Sequence, residues 1–525
     1  MKMMMTLLAL TVMAAPASAA PVEEAGIASL SADLSAGRTT SVRAVRAYLK
    51  RIAAMDRRGP RLNSIITLNP DALKQAAALD AERRAGLVRG PLHGVPILLK
   101  DNIEAAGMPT TAGSLALARN DNGRDAPVAA SLKAAGAIIL GKANMSEWAN
   151  FRSTRSMSGW SGMGGLTRNP YALDRTTCGS SSGSGAAIAA GFAPAAIGTE
   201  TNGSIICPSS LMGLVGLKPT VGLVPRTHIV PISQSQDTAG PMARDVRDAA
   251  ILLSVLIASD PADPATADAK AHAHDYAAAL DPAAIKGMRI GVMRGIEQPA
   301  LVALYDAALA RLTALGAILV DVEKPDMDAM RAASGTVLNA EFKTDLNAYL
   351  ASTDPARVES RTLADLIAFN SAHAPREMPL FGQELFEKAQ AGAGAADPAY
   401  AEARDKAKRL AGPEGIDAML AARKLDLLLA LSYGPAWISD TLYGDNYSGP
   451  RGLTSPAAIA GYPHLTVPMG QMRGLPVGLS FIGAAYDEQR LLNVGYAFEQ
   501  AQGLKLRPDF RATADAGPEL EAAQP

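Results

Sequence analysis

Two short apolar runs limit what this chain can become. Val95-Pro96-Ile97-Leu98-Leu99 and Ala137-Ile138-Ile139-Leu140 contain no polar residue, yet neither is long enough for a core helix. Such runs read as strands buried on both faces, which occur where helices cover both sides of a sheet. Between them, Val128 to Ala135 has helical spacing and Gly136 ends it. The alternation continues to about residue 260 and argues for α/β layers. Residues 22 to 90 read as helical. Ser41 opens a segment with Val42, Val45, Tyr48 and Leu49 on one side, and Asp71 caps a helix running through Leu73, Ala77 and Leu79. From about 296 to 425 the chain is rich in Ala, Glu and Lys and reads as helical. Strand-like runs return at Leu427 to Leu431, Leu465-Thr466-Val467 and Val477 to Ile482. A sheet begun before residue 250 is thus completed after residue 460. The expectation is one large α/β domain over 22–512, with its core near 90–255 and 450–500 and a helical cap at about 296–425. Thr513 to Pro525, rich in Ala, Glu and Pro, reads as a frayed tail.

Hydrophobic residues make up 48% of the 525, ample for a core of that size. Lys and Arg number 50 against 51 Asp and Glu, so no basic excess exists to bind a phosphate backbone. Two cysteines, Cys178 and Cys207, cannot build a disulfide framework or a cysteine zinc site. At the N-terminus, Lys2, the apolar run Met3 to Ala15, Pro16 and Ala17-Ser18-Ala19 have the layout of a signal peptide over residues 1–19. The run falls short of the ~20 residues that cross a membrane. The expectation is a periplasmic or secreted protein of bacterial style, beginning at Ala20 or Pro21 after cleavage.

Chemistry concentrates in three places. Cys178-Gly-Ser-Ser-Ser-Gly-Ser-Gly185 leads directly into Ala186-Ala-Ile-Ala-Ala190. The glycines permit a tight turn, and the small helix that follows can pack closely. A phosphate loop would end in Lys-Ser/Thr, which is absent. Gly179 to Gly183 also fits a nucleophile elbow, which needs a later histidine, and none of His228, His272, His274, His373 or His464 stands out. A plain Ser/Gly surface loop leaves the alanine helix unexplained. The second place is Gly198-Thr-Glu-Thr-Asn-Gly-Ser204-Ile-Ile-Cys-Pro208, where a serine closes a polar turn whose N–H groups can converge on an oxyanion. Taken alone it is equally a simple turn. The third is Lys100, at the mouth of the first buried strand, where desolvation lowers an ammonium pKa as a general base requires. An ion pair to neighbouring Asp101 explains a lone lysine there as well.

Together, Lys100 in GVPILLKDNI, Ser180 in CGSSSGSG and Ser204 in GTETNGSI resemble the amidase signature family in spacing and context. Gly216 to Gly222, Asp237 to Arg244 and Ala460 to Pro468 extend the likeness over roughly 25–255 and 450–500. Ser146-Glu-Trp-Ala-Asn-Phe151, Cys178, Cys207-Pro208 and Phe381-Gly-Gln-Glu384 look most like bacterial peptide amidases. The resemblance implies a mixed sheet core covered by helices. It also implies Ser204 as nucleophile, Ser180 as a bridging serine on a cis peptide bond and Lys100 as ultimate base. N–H groups of Thr201, Asn202, Gly203 and Ser204 would hold the oxyanion. Two positions depart from the common pattern, Ser182 for a usual glycine and Asn202 for Gly or Asp. Cys178 and Cys207 flank the two serines. The resemblance implies that these loops meet, so the two cysteines could pair in an oxidising compartment. The peptide-amidase look nonetheless leads us to expect small buried free thiols. Asn150, Phe151, Ser181 and Tyr447 are candidates for substrate contact, although an aromatic beside a buried strand such as Trp148 or Phe151 is usually core. Asp237 is expected to orient backbone near the site. No metal or organic cofactor is implied. The expected partner is a small-molecule or short-peptide amide, with no nucleic acid, no membrane after cleavage, and a monomer or homodimer as the assembly. The expected activity is hydrolysis of carboxamides, in particular peptide C-terminal amides. The alternatives are a broad aryl or aliphatic acylamidase, a glutaminyl-tRNA amidotransferase-like subunit, and a catalytically silent binding protein.

Overall fold

Pro96–Lys100 and Ala195–Glu200 lie side by side and parallel, with Ile97 opposite Ala195 and Leu99 opposite Ile197. Their carboxyl ends therefore emerge together, the place where open α/β sheets carry their sites. The computed structural model describes residues 21–515 except 22 and 451. In it these two strands belong to one sheet of eleven. From edge to edge the sheet runs Ile65–Leu68, Ile138–Ala143, Pro96–Lys100, Ala195–Glu200, Thr238–Ala243, Val215–Lys218, His464–Met472, Leu475–Ile482, Leu427–Leu431, Arg289–Met293 and Ile318–Val322. Parallel pairs sit toward both ends and antiparallel pairs across the middle, so the sheet is mixed. The chain is a single large domain, and the late strands do complete the sheet that the early ones begin. The proposed signal peptide lies outside the described residues, as do residues 516–525 of the tail. Among the described residues no helix is long and apolar enough to cross a membrane.

The alanine-rich helix Ser182–Ala189 is buried along its whole length. Its small residues are a packing requirement. A Cβ on Gly183 would stand 2.4–2.5 Å from Ser64 O and from the backbone N and O of Asn144. With no side chain, Gly183 N–H donates to Asn144 O at 2.8 Å instead.

Three expectations need correction. Residues 22 to 90 are not all helical, because Ile65–Leu68 is an edge strand antiparallel to Ile138–Ala143. Three of its four residues, Ile65, Ile66 and Thr67, are β-branched, and the run stops before Asn69-Pro70; both features favour a strand. Helix Ala72–Arg84 buries Ala72, Ala76, Leu79 and Asp80, whereas Leu73 is exposed. That rotation delivers the Asp80 carboxylate to the N–H groups of Ser41 and Val42, capping the helix Ser41–Met55 from outside. The stretch expected to be a helical cap also contains Ile318–Val322, which adds a last parallel strand beside Arg289–Met293. The helices that stand over the site begin at Asp328 and include Asp328–Ala351, Leu363–Ala372, Glu384–Ala391 and Pro398–Ala411. Phe342, Leu346, Leu363 and Phe386 pack there with Trp148, Val230 and Ile232 from the sheet side.

Candidate functional site

Lys100 ends its strand fully buried. Its Nζ lies 2.7 Å from Ser180 Oγ, 2.8 Å from Thr199 Oγ1 and 3.1 Å from Thr199 O. Burial pulls the ammonium down to about 7, partly opposed by the negative charges of Asp237 and Glu200. The ion pair to Asp101 does not form. Neighbours in an extended strand point to opposite faces, and Asp101 instead meets buried Lys142 at 3.5 Å and the hydroxyl of Thr111.

Ser180 follows a cis peptide bond from Gly179 and is fully buried. Ser181 N–H donates to Ser204 O at 3.2 Å, which joins the two serine loops. Ser204 keeps 8% of its surface exposed, so it alone of Lys100, Ser180 and Ser204 meets solvent. Its loop leaves the strand at Glu200, whose Oε2 accepts from Ile205 and Ile206 N–H at 2.8 and 3.0 Å and so anchors the following helix Ile206–Leu211. Gly203 has φ +87°, and a Cβ there would stand 2.7 Å from Tyr433 Oη and 3.2 Å from Thr454 Cγ2. Among the described residues the N–H groups of Asn202, Gly203 and Ser204 meet no protein acceptor. Thr201 Oγ1 donates to Asp237 Oδ1 at 2.5 Å, and Asp237 Oδ2 accepts from Ile232 and Ser233 N–H. Burial raises the Asp237 carboxyl above its usual range, against the pull of those bonds.

The remaining candidates fall in different surroundings. Asn150 ends three successive left-handed residues, Trp148, Ala149 and Asn150, a backbone rarely adopted outside glycine. A buried ion pair between Arg152 and Glu147 at 3.1 Å closes this turn, with Arg152 lying over the Phe381 ring at 4.3 Å. Asn150 Nδ2 donates to Ser158 Oγ at 3.2 Å, and it would touch a Cβ on Gly179. Phe151 packs on Phe342 of the cap, ring centroids 4.8 Å apart. Ser181 Oγ donates to Thr199 O and accepts from Thr199 N–H. Tyr447 Oη accepts from Gly434 N–H and donates to Pro450 O, and its ring meets Trp437 at 4.7 Å and Tyr433 at 6.0 Å. The two departures from the common motif have visible roles. Ser182 Oγ donates to Cys178 O at 2.7 Å, and exposed Asn202 accepts from Ser455 Oγ at 3.3 Å.

The cysteines are not free thiols. Cys178 and Cys207 form a disulfide with Cα atoms 5.9 Å apart. The loops that carry Ser180 and Ser204 converge, and Cys178, in the left-handed region at φ +55°, stands against the start of helix Ile206–Leu211, where Cys207 sits. Sequence reasoning also missed Thr199 and Tyr433. Thr199 stood inside the quoted motif between two more conspicuous residues, and Tyr433 follows directly after a buried strand and Ser432.

A family profile described as Amidase matches residues 43–492. The chain is 38% identical over 503 residues to a probable amidase of Arabidopsis thaliana, covering 94% of this chain and 92% of that protein. It is 37% identical over 475 residues to a glutamyl-tRNA(Gln) amidotransferase subunit of Moorella thermoacetica, covering 88% and 93%. Among solved structures, native peptide amidase from Stenotrophomonas maltophilia is 52% identical, with a TM-score of 0.89 over 93% of this chain and 99% of that one.

The disulfide closes a loop of 29 residues in sequence. The protein unfolded without reductant should therefore yield no titratable thiol. Cys178→Ala/Cys207→Ala should lose about 2–4 kcal/mol in denaturant unfolding. Two reactive thiols in the unfolded, unreduced protein would contradict the pairing.

Proposed function

The chain belongs to the amidase family and is a hydrolase of carbon–nitrogen bonds; we propose that it works through Ser204, Ser180 and Lys100, and that its substrates are peptide C-terminal amides. The observation that carries the first part is the amine of Lys100. In its neutral form the amine has two N–H donors and one lone pair. The two oxygens of Thr199 can take the donors, which turns the lone pair toward the Ser180 hydroxyl.

From this arrangement the steps follow. Ser180 O–H donates its proton to Lys100 Nζ and takes one from Ser204, whose Oγ attacks the carboxamide carbon. The carbonyl oxygen becomes an oxyanion, received by the N–H groups of the loop Thr201 to Ser204. As the C–N bond breaks, the proton returns through Ser180 to the nitrogen and ammonia leaves. Water then repeats the relay on the Ser204 ester and frees the acid. Asn150 lies beside this relay at Gly179. Tyr447 reaches it through the ring of Tyr433, which borders Gly203.

The peptide reading is supported by 52% identity to a peptide amidase over nearly the full length, against 37% for the amidotransferase relative. Export to an oxidising compartment is supported by the disulfide, a pairing rare in reducing cytoplasm. On this reading the mature protein begins at Ala20 or Pro21, and an intact Met1 on active protein from its host would contradict it.

Ser204→Ala should abolish labelling by a serine-directed phosphonate, whereas Ser180→Ala should slow it. Labelling that maps to Ser181 and survives Ser204→Ala would replace this mechanism with the nucleophile-elbow reading. Since the base must be neutral, kcat/KM should fall by about tenfold per pH unit below about 7 and level off above it. Lys100→Ala should cost several orders of magnitude in turnover, and near-normal rates in that variant would remove Lys100 from the mechanism.

A site built to bond peptide N–H groups rejects a ligand lacking them more strongly than an apolar slot rejects a missing methylene. An N-acylated dipeptide amide should therefore exceed an aliphatic amide of similar size by more than about tenfold in kcat/KM. Equal rates, or a preference for aryl acylamides, would leave the amidase and overturn the peptide specificity.

A further inference from the structure

Thr201, where the proposed oxyanion loop begins, is gripped twice by one segment. Asp237 accepts from its hydroxyl, and Gln236 Nε2 donates to its carbonyl at 3.2 Å. Residues 232–237 are fastened in turn to a single cap helix, Asp328–Ala351. Ser334 Oγ donates to Gln236 Oε1 at 2.9 Å. Glu341 accepts from the hydroxyls of Ser233 and Ser235, and from Ser235 N–H at 3.1 Å. Asp345 Oδ2 accepts from Gln234 N–H at 2.9 Å. Positions 334, 341 and 345 share one stripe of the helix, so three contacts fall along one line.

Glu341 is the strongest of these anchors. It is fully buried and takes a fourth bond from Tyr400 Oη at 2.7 Å, on the neighbouring helix Pro398–Ala411. A buried carboxylate with four donors has little freedom to move. Packing alone does not fix the segment. Gln234, Ser235 and Asp237 border a cavity of about 820 Å³, which Thr199, Thr201 and Asp345 also line. Neither Ser180 nor Ser204 lines it. On this face hydrogen bonds must do what side-chain packing does elsewhere.

We propose that Glu341 is a positioning residue: through Ser233, Ser235 and Asp237, the cap helix sets where Thr201 and the oxyanion loop stand. The inference rests on the reading of Ser204 and its loop given above. A loop displaced by a fraction of an ångström still binds substrate but meets the oxyanion poorly, so the loss belongs in kcat.

The test compares Glu341→Gln and Ser334→Ala with Lys343→Ala. Lys343 lies on the same helix but bonds only within the cap, to Gln390 O and Gly392 O. Kinetics on a dipeptide amide and thermal melts are measured on each variant. Glu341→Gln should lower kcat by about tenfold or more with KM changed by less than about threefold, and Ser334→Ala should lower kcat by less. Lys343→Ala should lower the melting temperature and leave kcat unchanged. If Glu341→Gln does not fold, Ser233→Ala/Ser235→Ala should show the same loss in kcat. Wild-type kcat in Glu341→Gln or in that pair overturns the proposal, as does an equal loss of kcat in Lys343→Ala. Phosphonate labelling of wild-type Ser204 separates the two levels. If it occurs while these variants keep full kcat, only the positioning role fails; if Ser204 is not labelled, the underlying mechanism fails.

Discussion

Lys100 is held out of solvent, its amine meeting Ser180 and the two oxygens of Thr199. Such a group is costly in a folded protein, because the unfolded chain keeps its proton up to about pH 10.5 and the buried amine gives it up near 7. Linkage gives the sign. Between those values the unfolded state binds the extra proton, so this group makes the fold more stable as pH rises and is at its most unfavourable below about 7. The surrounding sheet absorbs that cost. Lys100 closes an interior strand, third from one edge, whose neighbours on both sides run parallel to it, and the adjoining strand supplies Thr199 as acceptor.

The base proposed here is useful only if the other groups are equally fixed. The disulfide Cys178–Cys207 and the bond from Ser181 N–H to Ser204 O tie the two serine loops together. Gly183 lets the small helix behind Ser180 press on Asn144 backbone, where a methyl group would not fit. The left-handed turn at Trp148 to Asn150 is closed by the buried Arg152–Glu147 pair and by aromatic contacts with the cap, Trp148 on Phe386 and Phe151 on Phe342. Each part of the candidate site is thus tied to a neighbouring element of the fold.

Much of this was readable in the chain. Lys100 drew notice at the end of a short apolar run, Ser180 in a Gly/Ser cluster before a small-residue helix and Ser204 at the close of a polar turn. Their combined resemblance to the amidase signature family selected them. What escaped the sequence depended on distant partners. The resemblance implied that the two serine loops meet, yet whether their cysteines pair or only pack depends on a Cα separation that the sequence does not give. Ile65–Leu68 needed its edge pairing, and Ile318–Val322 was hidden in an alanine-rich region whose composition suggested helix. Asp80 resembles a surface residue until it caps a distant helix. Glu341 and Asp345 look like the polar face of an ordinary amphipathic helix, and only the fold sets them against residues 232–237. Sequence signals pointed to the groups proposed to react, while their supports were visible only in three dimensions.

The central claim is that Lys100 is neutral in the working enzyme. It is tested most directly by NMR of the intact protein carrying 13C at lysine Cε, titrated from acid to alkaline pH. The account predicts one lysine resonance with its midpoint near 7, missing from the spectrum of Lys100→Gln. If the resonance lost in Lys100→Gln titrates near the ordinary value of about 10.4, the buried amine is charged at neutral pH and cannot be the base.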